Sequence, residues 1–217
     1  GGHYPVFSYA FIAFNILVFL YQIMLPPPQL EAFIFTWGSI PLETLQGEDL
    51  FSLFTSMFLH GGWMHLIGNM LFLWVFADNI EATVGNGRFL VFYLLGGLAA
   101  HFGHIYFNAG SSIPTVGASG AISAVMGAYL VMFPTSRVKL WFLFFIFRVP
   151  AVLFLGIWIW QQWSAGTASL GVPVEQNAGV AWWAHIGGFI FGVVAGFYYR
   201  SKGYLKKDTA YMDYEEG

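Results

Sequence analysis

The 217-residue chain is 58% hydrophobic, 20% aromatic and only 9% charged, with a formal charge of −3 and a mean hydropathy of +0.66. Soluble domains carry about 25% charged residues, so this is the composition of an integral membrane protein. Eight Lys and Arg form no basic stripe, which excludes a nucleic-acid partner, and the absence of cysteine excludes disulfides, thiolate metal sites and a cysteine nucleophile.

Hydrocarbon about 30 Å thick tolerates few charges, so the gaps between charged residues count the membrane spans. The first apolar run, Val6 to Leu25, stops at Pro26-Pro27-Pro28; it is too long, and too free of a basic leader, for a signal peptide. A second uncharged stretch runs from Leu50 to Ala77. The 48 uncharged residues between Arg88 and Arg137 hold two helices joined by the polar turn 108–114. The apolar run Val138 to Phe147, pinned by Arg137, Lys139 and Arg148, is too short to span alone. Val149 to Trp163 gives a fifth helix and Ala178 to Tyr199 a sixth. The sequence therefore predicts an all-α, polytopic bundle in one membrane domain, 1–217, with helices at about 6–25, 58–80, 89–107, 117–133, 149–163 and 178–199 and a short tail at 200–217.

All eight Lys and Arg fall on one side of this topology, whereas the opposite loops hold Glu31, Glu43, Glu48, Asp49 and Glu175. The positive-inside rule then puts both termini and the tail in the cytoplasm. No repeated halves with broken helices suggest a transporter.

The candidate site lies at the other ends of the helices. Gly117-Ala-Ser119-Gly120 opens the fourth helix, where free backbone N–H groups and the positive end of the helix dipole can stabilise an oxyanion. Alone, a Gly-x-Ser-Gly is also ordinary helix-packing material. His185 lies in Ala184-His185-Ile-Gly-Gly188 on the sixth helix, which starts on the same side. With Ser119 about three residues and His185 about seven residues into their helices, a rise of ~1.5 Å per residue leaves them at similar depth. Ser119, Ser123 and Gly127 on one helix and Gly188, Gly192 and Gly196 on the other repeat at i+4, a pattern that lets two backbones touch. Burial among apolar helices favours the neutral imidazole, the form that accepts a proton from serine. With no Asp or Glu at that depth, the natural reading is a Ser-His dyad rather than a triad.

His65 and Asn69, spaced i,i+4, share a face of the second helix. They read equally as donors to a tetrahedral oxyanion or as a loop cap and an interhelical hydrogen-bonding residue, while His60 reads as ordering the long first loop. Trp158, Trp182 and Trp183 read first as interfacial or helix-packing residues, and Gln161 and Gln162 as meeting the headgroups, with contact to substrate as the alternative.

These motifs in this order, over nearly the whole chain, resemble the rhomboid intramembrane serine proteases. The resemblance implies Ser119 as nucleophile, His185 as general base and then acid, and His65, Asn69 and the Ser119 amide as oxyanion hole. Gly117, Gly120 and Gly188 are then structural near the site, as are Glu81, Gly85 and Arg88 at the far end of the second helix. It also implies cleavage of single-span transmembrane proteins near the outer face of the bilayer, with the fifth helix as gate, in a multi-pass protein of a prokaryotic plasma membrane. No cofactor or metal is implied, and nothing specifies an oligomeric state. Two positions depart from the family pattern: Phe51-Ser52 stands where many relatives have Trp-Arg, and Ser123 where some have a tyrosine packed on the histidine, so another aromatic is expected beside His185, with Trp182, Trp183 or a ring of the fifth helix as candidates.

Rival readings are weaker. His101 and His104 share a face but have no acidic ligand and no His-Glu-x-x-His motif, against a metal hydrolase. Asp78 has no intramembrane partner for an aspartyl protease, and the clustered polar residues on one side argue against a channel or transporter. A catalytically inactive relative that binds transmembrane clients is the alternative, although this chain keeps both serine and histidine.

Overall fold

The computed structural model describes residues 4–142, 145–172 and 180–207. Glu175, the expected start of the sixth helix at 178–179 and the acidic tail from Asp208 lie outside the described residues. The uncharged run after Pro5 forms α1, Val6–Met24. The prolines that end it also begin the next helix: Pro27 and Pro28 occupy the first turn of α2, Pro27–Trp37, where a missing N–H costs nothing. Two short helices follow, α3 at Pro41–Leu45 and α4 at Ser52–Thr55, and a 3-10 turn at Ser56–Phe58. The main helices are α5, Trp63–Val84; α6, Asn86–Phe107; α7, Ser119–Met132; α8, Ala151–Ser169; and α9, Trp182–Ser201.

Three features differ from the sequence reading. The first is a β-hairpin, β1 at Arg137–Phe142 and β2 at Phe145–Pro150, pairing Arg137 with Pro150 and Lys139 with Arg148, so the chain is mostly helical rather than all-α. The run is rich in β-branched and aromatic residues, which favour strand when too short to span as helix. The second is the start of α5, at Trp63 rather than near 58, because Gly61-Gly62 follow the separate turn at Ser56–Phe58. The third concerns the spans: among the described residues two helices, α1 and α6, are long and apolar enough by themselves to cross a membrane. Two of the others fall short for identifiable reasons. α7 has 14 residues, about 21 Å at 1.5 Å per residue, and α5 carries His65, Asn69, Asp78, Asn79 and Glu81.

α7 is the centre of the bundle. Twelve of its 14 residues are buried, enclosed by α5, α6, α8 and α9. Its closest neighbour is α9, and the reason is legible in the small residues: a Cβ added at Gly188 would meet the Gly120 carbonyl, and one at Gly192 the Ala124 carbonyl. Gly120 in turn faces Ala100 of α6. Phe76, Tyr93, Phe89, Leu73 and Met126 fill the core around this axis.

The end of the bundle opposite the site is tied by polar contacts. Buried Glu81 of α5 accepts hydrogen bonds from Phe7 N (2.8 Å), Ser8 N (2.7 Å) and Ser8 Oγ (2.7 Å), satisfying the first turn of α1. Gly85, with φ of 89°, makes the one-residue turn between α5 and α6 in a conformation that favours glycine. Arg88 and Arg200 donate to the Val84 and Val131 carbonyls, closing the C-terminal turns of α5 and α7.

Candidate active site

Ser119 opens α7, and its N–H belongs to a first turn that has no intrahelical acceptor. The strand-like segment before it is held from both sides. Ser39 and Thr115 exchange backbone hydrogen bonds of 3.0 and 2.8 Å, and Gly117 N donates to Ser56 O at 2.9 Å. His104 Nε2 lies 2.9 Å from Thr115 Oγ1 and His101 Nε2 lies 3.1 Å from Ser56 Oγ, so these two histidines order the loops around the serine. The first loop is fixed in turn by Gln22 of α1, whose amide donates to His60 O at 3.1 Å and accepts from His60 N at 3.0 Å. Ser52 is buried and bonds Asp49 O at 2.7 Å, while Phe51 is exposed.

His185 stands in the first turn of α9, and the α7–α9 contact at Gly188 carries its ring to the serine: Nε2 lies 2.8 Å from Ser119 Oγ. Its other nitrogen, Nδ1, lies 2.7 Å from Oε1 of Gln162 on α8. Gln162 is buried, whereas Gln161 is exposed; the sequence reading of both as headgroup residues is therefore corrected for Gln162. The ring beside His185 comes from Trp158, one turn earlier on α8, with centroids 5.8 Å apart, and from Trp182 at 6.4 Å. Ser123 bonds back to the Ser119 carbonyl at 2.6 Å.

His65, in the first turn of α5, accepts the Gly61 N–H at Nδ1 (3.3 Å). A neutral imidazole then carries its proton on Nε2, the edge that faces Gly117. A Cβ at Gly117 would sit 2.7 Å from both Cε1 and Nε2 of His65 and 3.6 Å from Ser119 Oγ, and Gly117 has φ of 131°. Any side chain there would collide with the ring in a backbone conformation disfavoured for L-residues. Asn69 follows one turn along α5; its Nδ2 is buried without a hydrogen-bond partner among the described residues. An unpaired buried donor costs about 1–3 kcal/mol, so it calls for an explanation. The structure thus brings together Ser119, His185, Gly117 and His65, with Asn69 on the same face as His65. Trp158, a ring of the expected fifth helix, and Trp182 are among the aromatics the sequence offered as neighbours of His185, whereas Gln162 is the partner the sequence did not single out.

A Rhomboid domain matches residues 47–202, most of the chain and every residue of this cluster. The chain belongs to the rhomboid family. This rhomboid chain is 27% identical over 195 residues to Rhomboid protein 1, mitochondrial, of Saccharomyces cerevisiae, covering 88% of the chain and 52% of the yeast protein. It is 34% identical over 134 residues to Rhomboid protease GluP of Bacillus subtilis, covering 61% and 26%. It is 32% identical over 147 residues to Presenilin-associated rhomboid-like protein A, mitochondrial, of Danio rerio, covering 64% and 34%. The chain therefore spans about half or less of the length of these relatives. Rhomboids are membrane-embedded, but two of these three relatives are mitochondrial, so the comparisons do not support the prokaryotic plasma membrane expected from the sequence.

Proposed function

We propose that this rhomboid chain is a serine intramembrane endopeptidase acting on single-span transmembrane proteins. Ser119 is the nucleophile and His185 the general base and then acid; Asn69, His65 and the Ser119 amide bind the oxyanion. The observation that carries the reading is the 2.8 Å approach of Ser119 Oγ to His185 Nε2.

The chemistry follows from the atoms present. Nε2 takes the hydroxyl proton as Oγ bonds to the substrate carbonyl carbon, whose oxygen becomes the oxyanion. The Ser119 N–H, the Asn69 Nδ2 and the protonated Nε2 of His65 converge on that oxygen, and each such donor contributes most as the charge develops. Nε2–H then protonates the leaving nitrogen, the peptide bond breaks and an acyl-Ser119 remains. Water attacks the acyl carbon, gives its proton to Nε2, and Oγ leaves with a proton from the same nitrogen.

In this proposal α1, α5, α6, α7, α8 and α9 are six spans, the short α7 being sheathed by the rest. The site occupies one end of the bundle, and Arg88, Arg137, Arg148 and Arg200 the other, which is the cytoplasmic end with both termini. The 1–217 chain works as one membrane domain.

The test is cleavage of a labelled single-span substrate by the purified protein in liposomes, with a chelator present and with Ser119→Ala and His185→Ala run alongside. Chelator-insensitive cleavage that both variants lose is expected. Cleavage retained by Ser119→Ala would overturn the assignment, and a panel of substrates left intact by the parent protein would favour an inactive, client-binding rhomboid.

A further inference from the structure

We infer that Gln162 is a positioning residue for His185, holding its imidazole in the tautomer that can accept the Ser119 proton; this rests on the proposed roles of Ser119 and His185. The amide oxygen of Gln162 lies 2.7 Å from Nδ1. A carbonyl oxygen has lone pairs and no hydrogen, so Nδ1 supplies the N–H. A neutral imidazole carries a single N–H, and its lone pair therefore sits on Nε2, the nitrogen 2.8 Å from Ser119 Oγ.

Two further observations point the same way. Gln162 is 6% exposed, just beyond the apolar run Ala151–Trp160 of α8, and a buried amide is costly unless it is hydrogen-bonded. Its partner is a ring on a different helix, 23 positions away in sequence. The i,i+4 spacing of Trp158 and Gln162 puts the aromatic neighbour and the acceptor on one face of α8, so a single helix supplies both a ring beside the imidazole and the acceptor at its Nδ1. The work is the part of a triad carboxylate's role that fixes tautomer and orientation. α8 offers no carboxylate of its own, and the titratable neighbours of His185 are His65 of α5 and His104 of α6. The amide dipole also stabilises the imidazolium, though less than a full charge does.

The variants Gln162→Leu and Gln162→Glu, measured beside the parent in liposomes with a labelled single-span substrate, test this. The leucine variant keeps the volume and removes the acceptor: kcat is expected to fall roughly 10- to 100-fold with KM within about twofold. The glutamate variant restores an acceptor, and its kcat is expected to return to within about threefold of the parent. Nitrogen-15 spectra of histidine-labelled protein provide a readout that needs no turnover. The parent and the glutamate variant are expected to show His185 protonated at Nδ1, and the leucine variant a mixture of tautomers. A leucine variant with parental kcat and an unchanged ring spectrum would overturn the inference. So would a loss of activity that glutamate fails to restore and that leaves the tautomer unaltered, since that is the mark of a packing role. If the parent cleaves nothing, the protease reading falls, while the spectra still decide whether Gln162 sets the tautomer.

Discussion

At Gly117 two independent constraints coincide: a φ of 131°, and a Cβ position 2.7 Å from the His65 ring. Gly117→Ala is therefore expected to displace His65 and lower kcat by roughly 10²-fold or more, the scale of losing an oxyanion donor, with the protein still monodisperse on size-exclusion chromatography. Asn69→Ala removes the donor whose pairing is incomplete in the resting site. It is expected to cost a similar factor of about 10² in kcat with little change in stability, since no protein hydrogen bond is lost; a folded Asn69→Ala variant with full activity would remove that role. The serine, the two histidines and the asparagine were legible in the sequence because polar groups stand out against apolar helices. Gln162 was not, because its partner is fixed only when α8 meets α9, and a glutamine near a helix end reads equally as a headgroup contact.

On the scale of elements, the position of His185 relative to Ser119 depends on how closely α7 and α9 approach. Gly192 faces the Ala124 carbonyl, backbone that cannot rotate away, so Gly192→Val is expected to force the helices apart. Overpacking of this kind costs about 1–3 kcal/mol, which a thermal melt in detergent would register as a lower midpoint, together with lost turnover. Gly156 on α8 has nothing within 4 Å of its Cβ position, and Gly156→Ala is the matched control, expected to leave the melting midpoint equal or higher. The i+4 stripes that mark the α9 side of this contact are plain in the sequence. The partner face is less so: α7 presents Gly120 and Ala124 alongside Ser123 and Gly127, and which small residues meet is decided by helix rotation. The β-hairpin was hidden for a different reason, because a short apolar run flanked by basic residues shows no sustained period-2 alternation and carries the same hydropathy whether it is paired or irregular.

Over the whole molecule, the site is assembled by loops that hydrogen bonds latch together: Gln22 clamps His60, Ser39 pairs with Thr115, and Ser56 receives Gly117. His60, in the loop before α5, is pushed down from 6.5 to about 4, first by burial and second by its neighbour His65. It is therefore neutral when folded and readily protonated when unfolded, so its contribution to stability is present above about pH 6.5 and is lost as pH falls toward 4. The melting midpoint is expected to drop over that interval, and His60→Asn is expected to flatten the dependence. Membrane residence could be read from composition and the order of the long helices from charge gaps, whereas the loop architecture could not, since its latches join residues far apart in sequence. The proposed chemistry depends on Ser119 being made nucleophilic by His185. The most direct measurement is labelling of the purified protein by a fluorophosphonate, with the adduct mapped by mass spectrometry in the parent, Ser119→Ala and His185→Ala proteins. One adduct, on Ser119, formed by the parent and by neither variant, is expected; labelling at another residue, or undiminished labelling of Ser119 without His185, would overturn the dyad.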